Sequence, residues 1–490
     1  MTLNSIRTII IGAGMAGVAA AIKLRQAGHH DIVIYEKGDQ IGGTWRENTY
    51  PGVACDVPSH LYSYSFAPNP DWSHVFSPGP EIRRYLERVA RQFDVERHIV
   101  FSTEVSRLEW DGRRWQLSTL DGRRDQADVV IAATGVLHHP AYPDLDGLED
   151  FEGPLFHSAR WDQTVALAAN RIGVIGTGSS AMQITGAVVD VAEELHLFQR
   201  TAQWVLSVPN PPITEEDKQT YRRDAGAMAA LRQHLSQTFT EGFADAVVDA
   251  ESPQAKLLED LCRANLEDNV SDPELRDKLR PDYRAACKRL IVSPTFYPAI
   301  QRPNAHLVTD GIARLEATGV RTTSGCLHEL EVLVLATGFR VDRFLRPIEV
   351  IGRNHCRLDD VWSARPSAYL SVSIPEFPNL FLLNGPNGPV GNFSLIDVAE
   401  IQIAYILELM ALIARGRCLE CSATPVALDR YEAERIEAAQ RTVWVTGCRS
   451  WYLDDRGVPA AWPWTMERFR QVMAHPQLGD YQLVGAPGAS

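Results

Sequence analysis

Residues 7–36 read RTIIIGAGMAGVAAAIKLRQAGHHDIVIYE, and this stretch decides the fold of the first part of the chain. A short β-branched strand leads into a G-x-G-x-x-G turn, an Ala-rich helix follows, and a second strand ends at Glu36. This is the order of a dinucleotide-binding βαβ unit. Gly12 permits the tight turn, Gly14 lets a pyrophosphate approach the backbone, and Gly17 allows helix and strand to pack closely. Glu36 can accept hydrogen bonds from both ribose hydroxyls, so the unit predicts a nucleotide with a free 2′-hydroxyl.

Residues 171–200 repeat this order with a different residue at the decisive position. Glu36 lies 24 residues after Gly12, and Arg200 lies 24 residues after Gly176. An arginine there can grip a ribose 2′-phosphate with its fork of N–H donors, so the second unit predicts NADP(H). The alternative is an exposed charge at a strand end. The predicted NADP-binding residues of this unit are Gly176, Thr177, Gly178, Ser179, Ser180, Ala181, Gln199 and Arg200.

Two dinucleotide units in one chain indicate a hydride donor and a flavin acceptor, because a flavin can pass electrons on to O₂ or to a disulfide. We therefore predict FAD in the first unit and NADPH in the second. The ATG turns at 133–135 and 336–338 each follow an apolar run that predicts a buried strand.

The bulk composition excludes several classes of protein. The 490 residues are enough for two or three domains, and the formal net charge of −14 argues against a nucleic-acid partner. The apolar run 401–414 is too short to span a bilayer and contains Glu408, so no integral membrane segment and a cytoplasmic location are expected. Cys418 and Cys421 are predicted to be reduced thiols at a helix end, and no metal site is predicted.

Residues 151–162 read FEGPLFHSARWD. This stretch resembles the F-x-G-x-x-x-H-x-x-x-W-(P/D) fingerprint of the Baeyer–Villiger monooxygenases at every specified position. Those positions are Phe151, Gly153, His157, Trp161 and Asp162. The related N- and S-oxidising flavin monooxygenases usually carry Tyr or Phe in place of Trp161. The resemblance implies that His157 is a linker residue that coordinates domain motion and not a proton carrier.

Residues 43–56, GTWRENTYPGVACD, fit a second pattern of the same family, G-x-W-x-x-x-x-(F/Y)-P-G-x-x-x-D. The resemblance covers nearly the whole chain and is weakest at about 210–270 and after Ala474. It implies FAD contacts along the first part of the chain, from Gly43, Thr44, Trp45, Asp56, Tyr62, Val105 through its backbone, and Thr134.

The resemblance also implies an α/β fold with two doubly wound, Rossmann-like domains and a helical insert. The ATG turns at 133–135 and 336–338 resemble the links between nucleotide domains in flavin monooxygenases. The expected division is an FAD domain from 1–150 and 340–490, with the NADPH domain, 151–339, inserted within it. A stretch rich in Ala, Leu, Glu and Arg predicts the helical insert at about 211–289.

The activity implied is oxygen insertion into a ketone. In the family, NADPH reduces FAD, the reduced flavin traps O₂ as a C4a-peroxide, and the peroxide anion attacks a carbonyl to give an ester or lactone. Arg289 matches the family's active-site cation and would also hold NADP⁺ beside the flavin, with Asp56 as its partner carboxylate. The alternative for Arg289 is an interdomain salt bridge, and Lys288 is expected to be a surface charge.

Other functions stay open at this point. An N- or S-oxygenating flavin monooxygenase is the main alternative, because the same oxidant can attack sulfides. A flavin disulfide reductase would need a cysteine pair near the flavin, where only Cys55 is found. A flavin-binding interaction protein without activity would leave Arg289 and Asp56 unexplained. The substrate pocket is expected from the loops 384–389 and 446–464.

Overall fold

A computed structural model describes residues 5–391 and 393–485 of the chain. In chain order, the strands are β1 (Thr8–Ile11), β2 (Ile32–Tyr35), β3 (Ile99–Val100), β4 (Val105–Trp110), β5 (Trp115–Thr119), β6 (Arg124–Ala127), β7 (Val129–Ala132), β8 (Leu155–His157), β9 (Arg171–Ile175), β10 (Glu194–Phe198), β11 (Val205–Leu206), β12 (Ile291–Val292), β13 (Ala305–Val308), β14 (Ile312–Glu316), β15 (Gly319–Thr322), β16 (Leu327–Glu329), β17 (Val332–Leu335), β18 (Glu349–Ile351), β19 (Leu380–Leu382), β20 (Glu420–Ala423) and β21 (Tyr481–Val484).

The α-helices, also in chain order, are α1 (Met15–Gln26), α2 (Thr44–Glu47), α3 (Gly79–Gln92), α4 (Ser179–Val188), α5 (Glu215–Arg223), α6 (Ala225–Phe239), α7 (Asp245–Val248), α8 (Pro253–Asn269), α9 (Pro273–Leu279), α10 (Phe296–Ile300), α11 (Leu358–Val361), α12 (Leu395–Ala414), α13 (Pro425–Ala439) and α14 (Met466–Val472). A π-helical stretch, Thr240–Ala244, joins α6 to α7.

Two parallel five-stranded sheets organise the molecule. The first has the order β19-β7-β1-β2-β3 and the second the order β13-β10-β9-β17-β8. In each sheet the strand before the glycine turn is central, and the strand before the ATG turn lies beside it. The first sheet takes β19 from residues after 340, so distant parts of the chain build one sheet.

Each parallel sheet is covered differently on its two faces. Ile10 and Ile34 of the first sheet pack into a large core that also contains α1 and α12, whereas Ile9 and Ile11 face the antiparallel strands β4–β6. The second sheet repeats this arrangement, with α4 on one face and β14–β16 on the other. Apolar residues on both faces of a strand are typical of parallel sheets buried on both sides.

The predicted insert is helical, from α5 to α9. Asp272 caps α9, since its carboxylate accepts from the N–H of Glu274 at 3.0 Å, and Pro273 occupies the first turn. An aspartate cap followed by proline is a common way for a helix to start. The apolar run 401–414 forms the larger, carboxy-terminal part of α12. Within the described residues, no helix combines the length and the apolar character that a membrane span requires.

Candidate active site

The first glycine turn has the crowding that its three glycines predict. Gly12 has a φ of +103°, and a Cβ there would lie 2.5 Å from the carbonyl oxygen of Ala133. A Cβ on Gly17 would lie 1.9 Å from the carbonyl oxygen of Gly12. Gly14 begins α1 without a side-chain cap, so the amino-terminal N–H groups of the helix are left to a ligand. These features fit the pyrophosphate of FAD.

Glu36 lies at the end of β2, where its carboxylate is buried and shared by three donors. It accepts from the N–H groups of Ala13 and Gly38, both at 2.7 Å, and pairs with Arg46 at 2.7 Å. The carboxylate therefore fixes the shape of the first turn as well as offering an acceptor to a ribose. The sequence predicts the contact to a ribose, but it does not reveal the hydrogen bonds of Glu36 to the turn.

The second glycine turn is built in the same way but is more open. Gly176 has a φ of +122°, and a Cβ there would lie 2.3 Å from the carbonyl oxygen of Ala336, whereas a Cβ on Gly178 would meet nothing within 4 Å. The Thr177 hydroxyl donates to the carbonyl of Thr201 at 2.8 Å, which ties the turn to the end of β10. The uncapped start of α4 is free for a phosphate.

Arg200 is exposed just beyond β10, near enough to Lys288 for its charge to act on that ammonium. Burial, and then the charge of Arg200, lower the pKa of Lys288. Two cations that approach each other in this way form a favourable place for a phosphate. Lys288 was expected to be a surface charge, but it is partly buried, with its ammonium 4.8 Å from the centroid of the Tyr283 ring. The neighbouring Gln199 is buried and donates to the carbonyl of Lys278 at 2.6 Å.

The fingerprint stretch packs against the second ATG turn. His157 is fully buried; its Nε2 donates to the carbonyl of Gly338 at 3.0 Å, and its Nδ1 accepts from the N–H of Ala159 at 3.1 Å. Burial lowers the pKa of His157, so the ring is neutral, as these two hydrogen bonds require. A Cβ on Gly153 would lie 2.5 Å from the carbonyl oxygen of Glu331. Both residues hold the linker in shape.

Other residues predicted for FAD, for NADPH or for the fingerprint have structural contacts. Thr134 donates to the carbonyl of Phe344 at 3.1 Å, Trp161 packs edge-on against Phe156, and Asp162 accepts from the Thr164 N–H at 2.8 Å. Phe151 is buried under the second sheet, and Val105 begins β4, buried. Ala181 is buried in α4, and Ser179 begins that helix.

The segment after the first turn joins the two parallel sheets. The Tyr50 hydroxyl donates to Oε1 of Gln183 at 2.9 Å and accepts from the Ser180 hydroxyl at 3.1 Å. Gly52 has a φ of +80°, and a Cβ there would lie 2.6 Å from the carbonyl oxygen of Gln183. The Y-P-G motif therefore docks the first nucleotide unit on α4 of the second.

Arg289 and Asp56 meet between the two units. Nη2 of Arg289 donates to Oδ2 of Asp56 at 2.5 Å, and Nη1 donates to the carbonyl of Gly391 at 2.7 Å. Burial opposes the charge of the guanidinium, but the Asp56 carboxylate raises the pKa of Arg289 above its ordinary value. The Tyr452 side chain adjoins the same guanidinium. A permanently charged, mostly buried cation is therefore held at the junction of three distant segments.

Two predicted flavin residues border this ion pair. Trp45 donates from Nε1 to the hydroxyl of Tyr62 at 3.3 Å, and the two rings lie edge-on. Burial raises the pKa of Tyr62, and the charges of Asp56 and Arg289 also act on it. Gly43 and Thr44 lie at the start of α2, opposite Gly14 of the first turn.

A disulfide beside this site was not predicted. Cys287 and Cys448 are bonded although they are 161 residues apart, and both are buried. Cysteine spacing cannot reveal a pair brought together only by the fold. Cys418 and Cys421 are free thiols, as predicted; Cys418 follows α12, but Cys421 lies in β20 and not at a helix end.

A cavity on the second sheet lies apart from the ion pair. Its volume is about 330 Å³, and it is lined by residues of β10, β13 and β16, including His196, His306 and His328. Ligand atoms of Glu194, His196 and His306 lie within 4.8 Å of one another. A hydrogen bond of 3.0 Å between Glu194 and His196 accounts for the closest approach. None of the residues predicted for either nucleotide lines this cavity.

The sequence of this chain is similar to those of several known proteins. The family described as pyridine nucleotide-disulphide oxidoreductase matches residues 9–234. A protein of Mycobacterium bovis named as an uncharacterised monooxygenase is 44% identical, with 97% of this chain and 95% of that protein covered. A Baeyer–Villiger monooxygenase of Streptomyces coelicolor is 38% identical over 98% of this chain and 93% of its own. The chain belongs to the Baeyer–Villiger monooxygenase family.

The solved structure of a cyclohexanone monooxygenase from Rhodococcus sp. Phi1, bound to NADP⁺, has the same fold. The TM-score is 0.87 at 31% identity, with 99% of this chain and all of that chain covered. Membership of the Baeyer–Villiger family confirms the predicted fold class, the FAD- and NADPH-dependent monooxygenase activity and both cofactors. The disulphide oxidoreductase description reflects the shared nucleotide-binding fold. Cys55, the one cysteine near the first turn, is buried, and burial raises the pKa of its thiol.

Proposed function

We propose that Arg289 and Asp56 form the catalytic centre at which a ketone is converted to an ester or a lactone. The observation that carries the proposal is the 2.5 Å contact of the two side chains at the junction of both nucleotide units. Bound FAD, reduced by NADPH, supplies the activated oxygen from O₂. The chain's own residues supply charge, position and exclusion of water.

Arg289 acts as an electrostatic donor. A guanidinium has five N–H donors, so the contacts to Asp56, Gly391 and Tyr452 leave donors for a substrate carbonyl oxygen. Its charge stabilises negative charge that develops on that oxygen, and a site mostly withdrawn from water strengthens this effect. Asp56 orients the fork and keeps the guanidinium from turning away. Both roles depend on the contact between Arg289 and Asp56, and neither requires a proton transfer.

We propose that FAD is held by Gly12, Gly14, Gly17, Glu36, Gly43, Thr44, Trp45, Asp56, Tyr62, Val105 and Thr134. NADPH is held by Gly176, Thr177, Gly178, Ser179, Ser180, Ala181, Gln199, Arg200 and Arg289, and Lys288 joins this set as a second contact to the 2′-phosphate. The support is the crowding of the two glycine turns and the proximity of Lys288 to Arg200.

The division into an FAD domain, 1–150 with 340–490, and an inserted NADPH domain, 151–339, is part of the same proposal. It is supported by β19, which completes the first sheet from beyond residue 340, and by the second sheet, whose strands all fall between 155 and 335. The two ATG turns are the crossings between them.

The ketone is expected under the loops 384–389 and 446–464. These loops meet, since the N–H of Trp462 donates to the carbonyl of Gly388 at 3.1 Å, and Tyr452 of the second loop reaches Arg289. The indole and phenol rings of Trp451, Tyr452 and Trp462 give this region an apolar lining, which favours a ketone with a hydrocarbon body.

The test is product analysis of the wild type and of Arg289→Ala with NADPH in air. A ketone panel and a sulfide panel separate the proposed reaction from S-oxygenation, the remaining alternative. Arg289→Ala should form ester at least about 100-fold more slowly, the usual loss for one preorganised electrostatic donor. It should still oxidise NADPH and release H₂O₂. Arg289→Lys should recover little, because an ammonium lacks the planar fork.

Arg302→Ala is the matched control, since Arg302 belongs to the same proposed domain but forms an exposed ion pair with Asp190. It should keep full ester formation. Full coupling of NADPH to ester in Arg289→Ala would reject the catalytic role, and sulfoxide without ester in the wild type would favour the alternative.

A further inference from the structure

The disulfide lies next to the proposed catalytic centre in both of the segments that it joins. Cys287 precedes Arg289 by two residues, and Cys448 precedes Tyr452 by four residues in the loop 446–464. Cys287 is fully buried and Cys448 is 7% exposed. The bond therefore links the segment that carries the cation to the loop that is expected to cover the substrate.

Arg289, Gly391 and Tyr452 touch one another in pairs. Arg289 donates to the Gly391 carbonyl at 2.7 Å, and Tyr452 adjoins the guanidinium. A Cβ on Gly391 would lie 2.0 Å from the Tyr452 hydroxyl oxygen, so that hydroxyl packs directly on the Gly391 backbone. Displacement of the loop would remove Tyr452 from both partners, and Arg289 would lose one of its three supports.

Tyr452 is held by its own loop and by aromatic neighbours. Its ring lies 4.1 Å from that of Trp451 and 5.1 Å from that of Trp444, measured between centroids, and its carbonyl accepts from Ala460 at 2.7 Å. Trp444 in turn meets Cys287, since its carbonyl lies 3.7 Å from the Cys287 sulfur. The Cys287–Cys448 bond closes this group covalently.

We propose that Cys287 and Cys448 are a redox-sensitive positioning pair that holds Tyr452 against Arg289 when oxidised and releases it when reduced. The inference rests on the proposed role of Arg289. A dithiol reductant gives two electrons and two protons to the disulfide, which yields two cysteine thiols and the oxidised reductant. With the disulfide formed, the enzyme couples NADPH oxidation to ester formation. With the disulfide reduced, it oxidises NADPH and releases H₂O₂.

Re-oxidation needs no reagent beyond the enzyme's own by-product. One H₂O₂ takes two electrons and two protons from the two thiols, which gives the disulfide and two molecules of water. An enzyme that loses coupling thus makes the oxidant that restores it. Tyr452 is a positioning residue in this scheme, because it acts through Arg289.

The first measurement is the thiol content of the denatured holoenzyme. Of the eight cysteines, six are free in the oxidised protein, so an aromatic disulfide reagent should titrate six thiols before treatment with dithiothreitol and eight after it. Trypsin should cleave after the exposed Arg449 faster in the reduced enzyme, because the loop is released. Eight thiols in air-oxidised enzyme treated with H₂O₂ would overturn the proposal.

The second measurement is the ratio of ester to NADPH consumed. Reduction should lower this ratio and H₂O₂ should restore it, while the rate of NADPH oxidation stays within about twofold. Tyr452→Phe should lower the ratio about 10-fold, the loss expected for one polar contact to a charged group, and should keep six titratable thiols. An unchanged ratio after reduction to eight thiols would also overturn the proposal.

Cys448→Ser should behave as the reduced enzyme and ignore dithiothreitol, whereas Cys326→Ser, which removes an exposed free thiol, should respond like the wild type. Should Cys448→Ser not fold, reversible reduction of the wild type decides the matter. Absence of ester from the oxidised wild type with every ketone would instead reject the proposed function. The thiol count and the tryptic cleavage would still report on the pair.

Discussion

The two nucleotide units share one construction and differ in how they hold their turns. In both, a parallel sheet of five strands has an α-helix on one face and antiparallel strands on the other. The first turn is covered, since a Cβ on Gly43 would lie 3.0 Å from the Cα of Gly14, whereas Gly178 of the second turn has open space around it. Glu36 is buried among three donors, and Arg200 is exposed.

This difference fits two kinds of ligand in one scaffold. A covered turn with an internally paired carboxylate suits a nucleotide that stays bound through many turnovers, as FAD does. An open turn with an exposed arginine suits NADPH, which must bind and be replaced. The same fold therefore suits either a nucleotide that stays bound or one that exchanges. The difference depends on what covers the glycine turn and on how the side chain 24 residues after the first glycine is paired.

The largest expected effect comes from breaking the closed unit at Glu36. Glu36→Gln removes one of the two carboxylates that pair with the Arg46 guanidinium and leaves only that of Glu47, and only 6% of the Glu36 and 13% of the Arg46 side chain are exposed. Removing one partner of a buried pair costs about 3–5 kcal/mol. We expect a lower urea midpoint and loss of FAD on purification, measured by the flavin-to-protein absorbance ratio. Glu194→Gln, in the matching strand of the second unit, is the control. Full flavin content and an unchanged midpoint would contradict the comparison.

In the second nucleotide unit, whose turn is open, the test is a substitution of Arg200. Arg200→Ala removes a charge-assisted contact to the 2′-phosphate, which costs about 1.5–3 kcal/mol or roughly 10- to 150-fold in binding. The NADPH Michaelis constant should rise while that for NADH and the FAD content stay unchanged. Lys288→Met should also raise the NADPH Michaelis constant, by a smaller factor. An unaltered preference for NADPH over NADH in Arg200→Ala would reject the assignment.

The contact between the two units is tested at Gly52. Gly52→Ala adds the strain of a positive φ and a clash with the carbonyl of Gln183, whereas Gly122→Ala, at a φ of +85°, adds the strain alone because nothing lies within 4 Å. We expect the two variants to differ by about 1–3 kcal/mol in the free energy of unfolding. Equal unfolding midpoints of the two variants would show that α4 can move away from the added methyl group without loss of stability.

The smallest effect is a pH dependence from His157. Burial lowers its pKa in the folded state, so the unfolded chain binds the proton first as the pH falls. The free energy of unfolding should therefore decrease below about pH 6.5, the ordinary histidine value, until the folded pKa is also passed. His157→Gln should flatten this slope in urea titrations at several pH values. His30→Gln, at an exposed site, should leave the slope unchanged; an identical slope in both variants would contradict the role.

Consecutive residues determined a large part of this protein. The strands, turns and helices around Gly12 and Gly176 follow from local patterns, because a G-x-G-x-x-G turn between a strand and a helix is fixed by its own neighbours. The count from each turn to Glu36 or Arg200 predicts a different nucleotide for each unit, and the fingerprint at 151–162 indicated the family that the relatives confirm. Each of these signals lies within about thirty residues.

Only the tertiary structure decided which distant groups meet. Arg289 is supported by Asp56, Gly391 and Tyr452, and Cys287 is bonded to Cys448, from segments more than 100 residues apart. The effect of the Arg200 charge on Lys288 likewise joins distant parts of the sequence. No local pattern carries such information, because a long-range contact depends on how complete elements pack. The two sheets and their shared core fix that packing, and with it the surroundings of the charge on Arg289.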